Sequence, residues 1–309
     1  MGDVIHNLPV ASDIISHFPD AQIDWVVEES FAGIPELHPA ITNIIPVALR
    51  RWRKSLLNAE TRSEIRAFKI RLQQNQYDYV VDTQGLIKSA MITFMTKGTR
   101  CGYAWNSARE PLVSLFYHHT YEVTKNLHAV ARNRQLAAQA LGYIPATTLN
   151  YGIKAPGIAL PWLTDKPYAV LLHATSRDDK LWPETDWVAL GLHLNQLGIT
   201  SVLPWGNTQE SQRSQRLGQQ IPHAIVPPSL RLGEVAALLA GAKVVVGVDT
   251  GIAHLAAALH VPVIGLYCTT DPALTGILTS GPGVNLGGIG KTPALATVIA
   301  ETEKVMVNA

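Results

Sequence analysis

The sequence predicts an α/β protein built from two doubly wound parallel sheets. Short apolar runs alternate with longer helical patterns along the chain, which is the pattern of strands connected by helices in parallel sheets. The length of 309 residues exceeds what one hydrophobic core usually spans, so we expect two domains. Hydrophobic residues make up 47% and charged residues 16% of the chain, as in an ordinary globular protein.

The first half alternates strands and helices and then loses its periodicity. Its patterns predict strands at 22–27, 41–47 and 77–82 and helices at 60–75, 86–95 and 127–141. A stretch containing Pro and Gly at 150–161 follows and resembles an interdomain linker. We therefore place the first domain at residues 1–154.

The second half resumes the alternation. Its patterns predict strands at 168–173, 200–204, 224–226, 244–248 and 261–267, with helices at 184–197, 208–219, 232–240 and from 255 onward. Five strands with intervening helices make a Rossmann-like domain over residues 155–290. Thr292 and Pro293 are a typical N-cap and first helical residue, and they predict a last helix that runs to about residue 307. We expect this helix, within residues 291–309, to cross back to the first domain.

Several classes of protein lose support from the composition. Two cysteines, Cys101 and Cys268, are too few for a disulfide framework or a zinc site, which favours a reducing compartment. The sequence predicts neither a membrane span nor an export signal. No Gly-x-Gly-x-x-Gly motif follows a predicted strand, and Asn285 stands where a P-loop at 285–292 would need its first glycine. We expect no metal and no cofactor.

An Asp-Thr-Gly turn follows the most apolar predicted strand. The run 244–248 leads into Asp249, Thr250 and Gly251, and an alanine-rich helical pattern continues past His254. In an open parallel sheet, ligands bind at the carboxyl ends of the strands, and a helix that begins there directs backbone N–H groups at an anion. The turn predicts a sugar-nucleotide site in which Asp249 accepts hydrogen bonds from hydroxyl groups. The alternative is that Asp249 only caps the helix and His254 packs one turn in.

A second polar loop follows the first strand of the second domain. Thr175 and Ser176 can donate hydrogen bonds there, and Lys180 can supply a positive charge, so the loop predicts a diphosphate site. The alternative is a solvated charged loop that Trp182 and Pro183 anchor to the next helix.

A basic cluster interrupts the first domain, although the net charge of the whole chain is only +1. Arg50, Arg51, Arg53 and Lys54 fall within five residues. Guanidinium groups suit carboxylates and phosphates because they form paired hydrogen bonds with them. The alternatives are a solvated loop and a nucleic-acid patch, and the near-neutral total charge disfavours the latter.

Five ordered blocks resemble one known family over nearly the whole chain. The blocks at 1–9, 50–54, 82–89, 173–184 and 249–254 are similar to those of the lipopolysaccharide heptosyltransferases. The resemblance implies a GT-B fold, in which two Rossmann-like domains face a central cleft, with acceptor binding in residues 1–154 and ADP-heptose binding in residues 155–290. It implies metal-independent, inverting transfer of L-glycero-D-manno-heptose from ADP-heptose to the inner 3-deoxy-octulosonic acid of a lipid A precursor.

The resemblance also implies roles for individual residues. Asp3 is the expected general base, and Lys180 is expected to stabilise the departing ADP. The expected donor-binding residues are Thr175, Ser176, Lys180, Glu210 at the ribose, Leu230 at the adenine, Asp249, Thr250, Gly251 and His254. The expected acceptor-binding residues are Arg50, Arg51, Arg53, Lys54, Arg109 and Arg132.

The lipid-borne acceptor implies a membrane surface as a partner. Basic residues attract anionic membranes, so we expect reversible, peripheral attachment to the cytoplasmic face of the inner membrane.

The amino terminus departs from the family. Relatives have a hydrophobic strand before the Met-Gly-Asp block, whereas Met1 here is the methionine of that block. We therefore expect the first domain to lack its first strand, which leaves two neighbouring strands with unpaired edges and Asp3 on a loose terminus. The hypotheses are a native protein that begins earlier and a damaged copy.

Two other functions remain as alternatives to heptose transfer. One is a noncatalytic protein that still binds the nucleotide sugar. The other is a sugar-nucleotide epimerase of the same fold, although that function leaves the basic cluster and the Asp3 block unexplained.

Overall fold

The structure, a computed structural model, describes residues 1–175 and 177–307. The chain divides into an N-terminal unit of residues 6–152 and a C-terminal unit, in which residues 1–5 join the chain from residue 153 onward. The helices are α1 (Gly2–Ile5), α2 (Leu8–His17), α3 (Leu49–Trp52), α4 (Ala59–Leu72), α5 (Ile87–Met95), α6 (Ala129–Leu141), α7 (Glu184–Gln196), α8 (Thr208–Gln220), α9 (Leu232–Ala240), α10 (Gly251–Ala258), α11 (Pro272–Thr275) and α12 (Leu295–Val307). The strands are β1 (Ile23–Glu28), β2 (Ile41–Val47), β3 (Tyr77–Asp82), β4 (Gly98–Tyr103), β5 (His119–Tyr121), β6 (Tyr168–Leu172), β7 (Thr200–Val202), β8 (Val244–Val248), β9 (Val263–Tyr267) and β10 (Gly283–Gly287). Among the described residues, no helix has both the length and the apolar character needed to cross a bilayer.

The C-terminal unit is organised around one five-stranded parallel sheet with the strand order β10-β9-β8-β6-β7. Strands β6, β8 and β9 are buried along their whole length, as expected for parallel strands covered by helices on both faces. The chain leaves β6 toward β7 on one side and returns to β8 on the other. The loops after β6 and β8 therefore meet at the point where the strand order reverses, which is where open α/β sheets bind ligands.

The core beside this sheet is centred on two tryptophans. Trp182 and Trp187 are fully buried and pack edge to face, with their ring centroids 5.1 Å apart. The indole Nε1 of Trp182 donates a hydrogen bond to the carbonyl oxygen of Pro293 at 2.9 Å. The loop between β6 and α7 is thus anchored at its far end.

Helix α12 packs on this same core. Its buried residues Val298 and Val305 belong to the cluster that contains the two tryptophans, and the helix contacts α7, β8, β9 and β10. These contacts place α12 in the C-terminal unit, and the expectation that the last segment crosses back to the first domain stays a prediction. The helix begins at Leu295, so Thr292 and Pro293 precede it instead of capping it.

The N-terminal unit contains two separate parallel sheets, β1-β2 and β3-β4-β5. Side chains link them, because the carboxylate of Asp24 in β1 accepts hydrogen bonds from the Tyr77 hydroxyl at 2.7 Å and from the Asn75 amide at 3.1 Å. One hydrophobic cluster, with Trp52 and Phe68, covers β2, and a second, with Leu136, covers β4. The absence of a first strand stays a prediction.

The first residues do not form the loose terminus that the sequence predicted. Residues Gly2–Ile5 make a helical turn, Ile5 is fully buried, and the Val4 and Ile5 amides donate to the Met1 carbonyl. Helix α1 packs against α10, which places it in the C-terminal unit. The apolar contacts of Ile5 are the physical reason for this order.

Other elements differ from the sequence prediction, in part because glycine and polar residues interrupt the apolar pattern that indicates a strand. Residues 224–226 form only an isolated bridge, between Ile225 and Val202, and β10 is the fifth strand of the sheet. Helix α2 and strands β4, β5 and β10 were not predicted. Strand β4 contains two glycines, and a side chain at Gly102 would collide with the Tyr117 ring.

Candidate functional site

The carboxyl end of β8 holds a compact polar cluster around Asp249. Its Oδ2 accepts a hydrogen bond from Lys180 Nζ at 2.6 Å and another from Thr270 Oγ1 at 2.9 Å. The Lys180 and Asp249 side chains are only 17% and 16% exposed, so their attraction is screened less by water than that of a surface pair. Two oppositely charged groups predicted from separate motifs therefore meet at the switch point of the sheet.

Asp249 does not cap the helix that follows it. The N-cap of α10 is Thr250, and Gly251 is the first helical residue. The Asp249 side chain turns instead to Lys180 and Thr270. The structure thus disfavours the capping alternative and leaves the N–H groups of the first turn of α10 at the edge of the sheet, where an anion is favoured.

The loop after β6 is tied to the same cluster. Thr175 Oγ1 donates to the backbone carbonyl of Asp249 at 2.9 Å, and Asp178–Lys180 forms a single 3₁₀ turn. Arg213 in α8 donates from Nη2 to the Trp182 carbonyl at 2.8 Å, which holds the end of the loop. Ser176, also predicted to bind the donor, lies outside the described residues.

Helix α1 brings Asp3 to this end of the C-terminal unit. Met1 covers Gly251 so closely that a Cβ on that glycine would lie 2.5 Å from the Met1 Cβ. The Asp3 side chain is exposed. The general base implied by the resemblance is therefore on the helical turn that packs against the first turn of α10.

Three further predicted donor residues lie in the same unit. Glu210 completes the cap of α8, since its carboxylate accepts hydrogen bonds from the Gly206 amide at 2.7 Å and the Asn207 side chain at 2.8 Å. Leu230 is half-buried just before α9, and His254 is buried in α10. Glu210 thus has a clear structural role, and its contact with a ribose stays a prediction.

A buried histidine begins the loop that carries Thr175 and Lys180. His173 directly follows β6, is fully buried, and its Nε2 lies 2.8 Å from Ser214 Oγ. Burial, followed by the positive charge of Arg213, lowers the pKa of His173 from 6.5 to about 4. The imidazole is therefore neutral at pH 7 and adds no positive charge at the start of this loop.

The predicted basic cluster of the N-terminal unit is divided in two by its contacts. Arg51 forms paired hydrogen bonds with both Glu29 and Glu64, at distances from 2.8 to 3.1 Å. Its guanidinium is thus already neutralised by two carboxylates, which the sequence analysis did not anticipate. Arg53 and Lys54 are exposed, and Arg50 is also exposed, with its guanidinium 5.2 Å from the Phe31 ring centroid.

Arg132 lies beside Tyr103, the last residue of β4. Its guanidinium stacks 4.8 Å from the ring centroid of Tyr103 and donates to the Ser107 carbonyl at 2.6 Å. Asp82, at the end of β3, accepts a hydrogen bond from the Tyr117 hydroxyl at 2.7 Å, and burial raises the pKa of its carboxyl. Arg109 is exposed.

Thr270 is the residue of this cluster that the sequence analysis missed. It follows β9, the strand next to β8, and so reaches the same sheet edge as Asp249. That position was the available signal, because polar residues after neighbouring parallel strands meet at one edge. Within residues 1–175 and 177–307, no group of three or more His, Cys, Asp or Glu side chains has the geometry of a metal site.

Comparison with solved structures identifies the fold. The E. coli heptosyltransferase WaaC with ADP matches all of this chain and 97% of its own, with a TM-score of 0.91 and 44% identity. The same enzyme with ADP-2-deoxy-2-fluoro heptose matches with a TM-score of 0.86 over 99% of this chain and 96% of its own, at 42% identity. These matches confirm the predicted α/β fold with parallel sheets, of the GT-B type.

The sequence comparisons agree. The chain is 47% identical over 278 residues to lipopolysaccharide heptosyltransferase 1 of Salmonella typhimurium, covering 89% of this chain and 88% of that protein. The corresponding Pseudomonas aeruginosa protein is 46% identical over 89% of this chain and 78% of its own length. The sequence profile of glycosyltransferase family 9 (heptosyltransferase) matches residues 65–302. The chain therefore belongs to glycosyltransferase family 9, the heptosyltransferases.

Proposed function

We propose that this protein transfers L-glycero-D-manno-heptose from ADP-heptose to the inner 3-deoxy-octulosonic acid of a lipid A precursor, with inversion, during synthesis of the lipopolysaccharide inner core. The observation that carries the proposal is the pairing of Lys180 with Asp249 beside the first turn of α10. This cluster offers positive charge and N–H donors for a diphosphate, next to a carboxylate for sugar hydroxyls. The identities to heptosyltransferase 1 proteins support the same substrates.

In this proposal the diphosphate enters between Lys180 and the amino terminus of α10. Lys180 turns from Asp249 to a phosphate oxygen, and Thr175 donates a further hydrogen bond. Asp249 is then released to accept hydrogen bonds from the heptose hydroxyls, while Thr270 keeps it in place. The positive charge and helix dipole stabilise the electron pair that moves to the leaving phosphate oxygen as the anomeric bond breaks.

Asp3 acts on the other side of the anomeric carbon. Its carboxylate takes the proton of the acceptor hydroxyl while the oxygen of that hydroxyl bonds to the anomeric carbon and ADP leaves from the opposite face. A well-placed general base contributes about 10²–10⁴-fold to such a rate. The packing of α1 against α10 supports this role, because it holds Asp3 at the same end of the sheet as the donor groups.

The remaining donor and acceptor contacts follow from the same arrangement. Glu210 accepts a hydrogen bond from the ribose, Leu230 borders the adenine, and Ser176, Thr250, Gly251 and His254 complete the donor site. Arg50, Arg53, Lys54, Arg109 and Arg132 bind carboxylates and phosphates of the acceptor. We leave Arg51 out of this set because two glutamates already bind its guanidinium.

We also propose that the protein works at the cytoplasmic face of the inner membrane as a peripheral protein. The exposed charges of Arg50, Arg53 and Lys54 support this, since each basic residue near an anionic surface contributes about 1 kcal/mol of attraction. Salt should weaken this part of the binding.

The test is ADP release from ADP-heptose by the 309-residue protein, with and without a lipid A acceptor that carries the octulosonic acid. We expect release that depends on the acceptor. The variant Asp3→Asn should lose transfer by at least about 10²-fold while its affinity for ADP-heptose stays within about twofold. The matched control is Asp165→Asn, which changes an exposed aspartate of the same unit and should leave both quantities unchanged.

The two measurements separate the alternatives. Donor binding without acceptor-dependent release would contradict heptose transfer and support a noncatalytic nucleotide-sugar-binding protein. Equal loss of transfer and of donor affinity in Asp3→Asn would contradict the general-base role and leave Asp3 as a donor-binding residue.

A further inference from the structure

Helix α5 of the N-terminal unit exposes three large apolar side chains. Ile87, Met91 and Phe94 are between 42% and 58% exposed, and their spacing of four and three residues places them in one stripe along the helix. The helix does not need this stripe for its core contacts. Ala90 is fully buried on another face, and Ile92 and Met95 pack against the hydrophobic cluster around Trp52.

A neighbouring segment extends the stripe. The 3₁₀ turns of Pro111–Phe116 pack against α5, where Phe94 and Phe116 meet edge to face with their ring centroids 6.0 Å apart. Leu112 and Leu115 of this segment are also exposed, at 54% and 76%. We call the five exposed side chains Ile87, Met91, Phe94, Leu112 and Leu115 the α5 surface. Contiguous exposed apolar groups of this kind mark sites of interaction with a partner or a membrane.

The chain segment that carries the α5 surface is rich in positive charge. Residues 83–118 contain four basic residues, Lys88, Lys97, Arg100 and Arg109, and a single acidic residue, Glu110. The Arg100 guanidinium lies 5.1 Å from the Phe94 ring centroid, so the cation is next to the apolar stripe itself. Apolar side chains accompanied by basic ones complement the acyl chains and anionic headgroups of a membrane.

The α5 surface is continuous with the proposed acceptor side. The carboxylate of Glu110 accepts a hydrogen bond from the Ile87 amide at 2.6 Å, which fixes residue 110 at the start of α5. Arg109, which is proposed to bind the acceptor, directly precedes Glu110. The segment Pro111–Phe116, which contains Leu112, directly follows Glu110. A lipid-borne acceptor held at Arg109 would therefore be bordered by this apolar surface.

We propose that the α5 surface inserts into the acyl-chain boundary of an anionic lipid bilayer and so holds the enzyme at its lipid-borne acceptor. The identity of the acceptor in this proposal rests on the proposed function, whereas the binding of the protein to vesicles does not. The basic residues supply the attraction that falls with salt, and the five apolar side chains supply a part that persists at high salt.

The test is sedimentation of the protein with vesicles of phosphatidylethanolamine and phosphatidylglycerol in a 3:1 ratio, compared with vesicles of phosphatidylcholine alone. We expect the wild-type protein to bind the anionic vesicles, and the triple variant Met91→Gln, Phe94→Gln, Leu115→Gln to bind at least about tenfold more weakly. The matched control is Ile70→Gln, Ile144→Gln, Leu197→Gln, which removes three exposed apolar side chains elsewhere and should bind like the wild type. Equal binding of the two triple variants would overturn the proposal.

Two further readouts separate this proposal from others. Transfer to an acceptor without acyl chains should be unchanged in the α5 triple variant, and transfer to the vesicle-embedded acceptor should fall with its binding. Loss of transfer to both acceptors would overturn the membrane role and point to a damaged active site. A wild-type dimer that the triple variant abolishes, with no vesicle binding, would assign the α5 surface to a second copy of the chain. Failure of the proposed function would appear separately, as no transfer to the soluble acceptor by the wild type.

Discussion

The two units build their sheets in different ways. In the C-terminal unit, β6, β7, β8 and β9 are buried at every residue. In the N-terminal unit, β1 is fully buried only at Val27 and β3 only at Asp82. A sheet buried on both faces has no room for charged side chains along its strands, so charged groups are confined to its ends. The C-terminal unit therefore presents its site on a densely packed frame, and the N-terminal unit spreads its charged residues over loops and short helices.

A well-shielded ion pair occurs in each unit, and the two pairs have different roles. Arg134 and Asp13 in the N-terminal unit form two hydrogen bonds at 2.7 and 2.8 Å and are 11% and 7% exposed. They join α6 to α2 inside the N-terminal unit. Lys180 and Asp249 join two loops at a sheet edge, where a ligand can separate them. The first pair should matter for stability and the second for activity.

The largest expected effect is on activity, at Lys180. In Lys180→Met, kcat/KM for transfer should fall by about 10²–10³-fold, because the departing diphosphate loses its nearest positive charge. The free energy of unfolding should change far less than in the Arg134 variant described next. Steady-state ADP release and urea unfolding measure the two quantities. The control is Lys166→Met, an exposed lysine of the same unit, and an equal loss of activity there would contradict the assignment.

The next effect is on stability, at Arg134. In Arg134→Met, the free energy of unfolding of the N-terminal unit should fall by about 3–5 kcal/mol, because the Asp13 carboxylate is left buried without its partner. The affinity for ADP, measured by calorimetry where the protein is folded, should be unchanged. Arg62→Met, an exposed arginine of the same unit, should shift stability by less than about 0.5 kcal/mol. A loss of ADP affinity in Arg134→Met with unchanged stability would reverse the comparison between the two ion pairs.

The pH dependence of stability should differ between the units. Burial lowers the pKa of His173 from 6.5 in the unfolded chain to about 4 in the folded protein. The C-terminal unit should therefore lose stability as the pH falls through this range. The loss from this residue is up to about 3 kcal/mol. Urea unfolding at several pH values, with hydrogen-exchange labelling to distinguish the units, measures it. The slope should flatten in His173→Asn.

Asp82 should contribute the opposite slope in the N-terminal unit. Because burial raises the pKa of its carboxyl, the folded unit holds the proton to a higher pH than the unfolded chain. The stabilisation from Asp82 is complete below the ordinary pKa of an aspartate and is lost as the pH rises through the raised value. Asp82→Asn should remove this dependence. A parallel pH dependence of the two units would show that other groups dominate.

The smallest expected effect is at Thr270. In Thr270→Val, one hydrogen bond to Asp249 is lost without a change of shape, so the KM for ADP-heptose should rise by roughly 2–10-fold. Thr270→Ser should restore most of it, because the hydroxyl remains. If Val and Ser behave alike, the methyl group and not the hydrogen bond holds Asp249.

The sequence predicted the C-terminal sheet better than the N-terminal one, for a physical reason. Strands β6, β8 and β9 are continuous apolar runs because both their faces are buried, and such runs are visible without tertiary information. Strand β4 carries two glycines and an arginine, and it is a strand because β3 and β5 pair with it on either side. Tertiary contacts override local propensity there.

In the candidate site too, single chain segments were predicted, whereas contacts between distant segments were not. The turn at Asp249 and the loop at Lys180 were predicted separately, since each follows an apolar strand. Their direct pairing and the part of Thr270 depend on neighbouring strands in space and were not visible in the chain order. Arg51 was assigned to the acceptor as part of the basic cluster, and its pairing with Glu29 and Glu64, 22 and 13 residues away in the sequence, was not visible in the chain order.

The edge-to-face pair of Trp182 and Trp187 allows the loop between β6 and α7 to be followed by spectroscopy. The two indoles are fully buried and held at an interplanar angle of 89°, and fixed packing of this kind is what near-ultraviolet circular dichroism detects. Trp182 is two residues after Lys180. Its indole N–H donates to the Pro293 carbonyl, and its backbone carbonyl accepts a hydrogen bond from Arg213. The wild-type chain therefore carries a built-in optical probe, and the order of the loop can be followed during ADP binding without any attached dye.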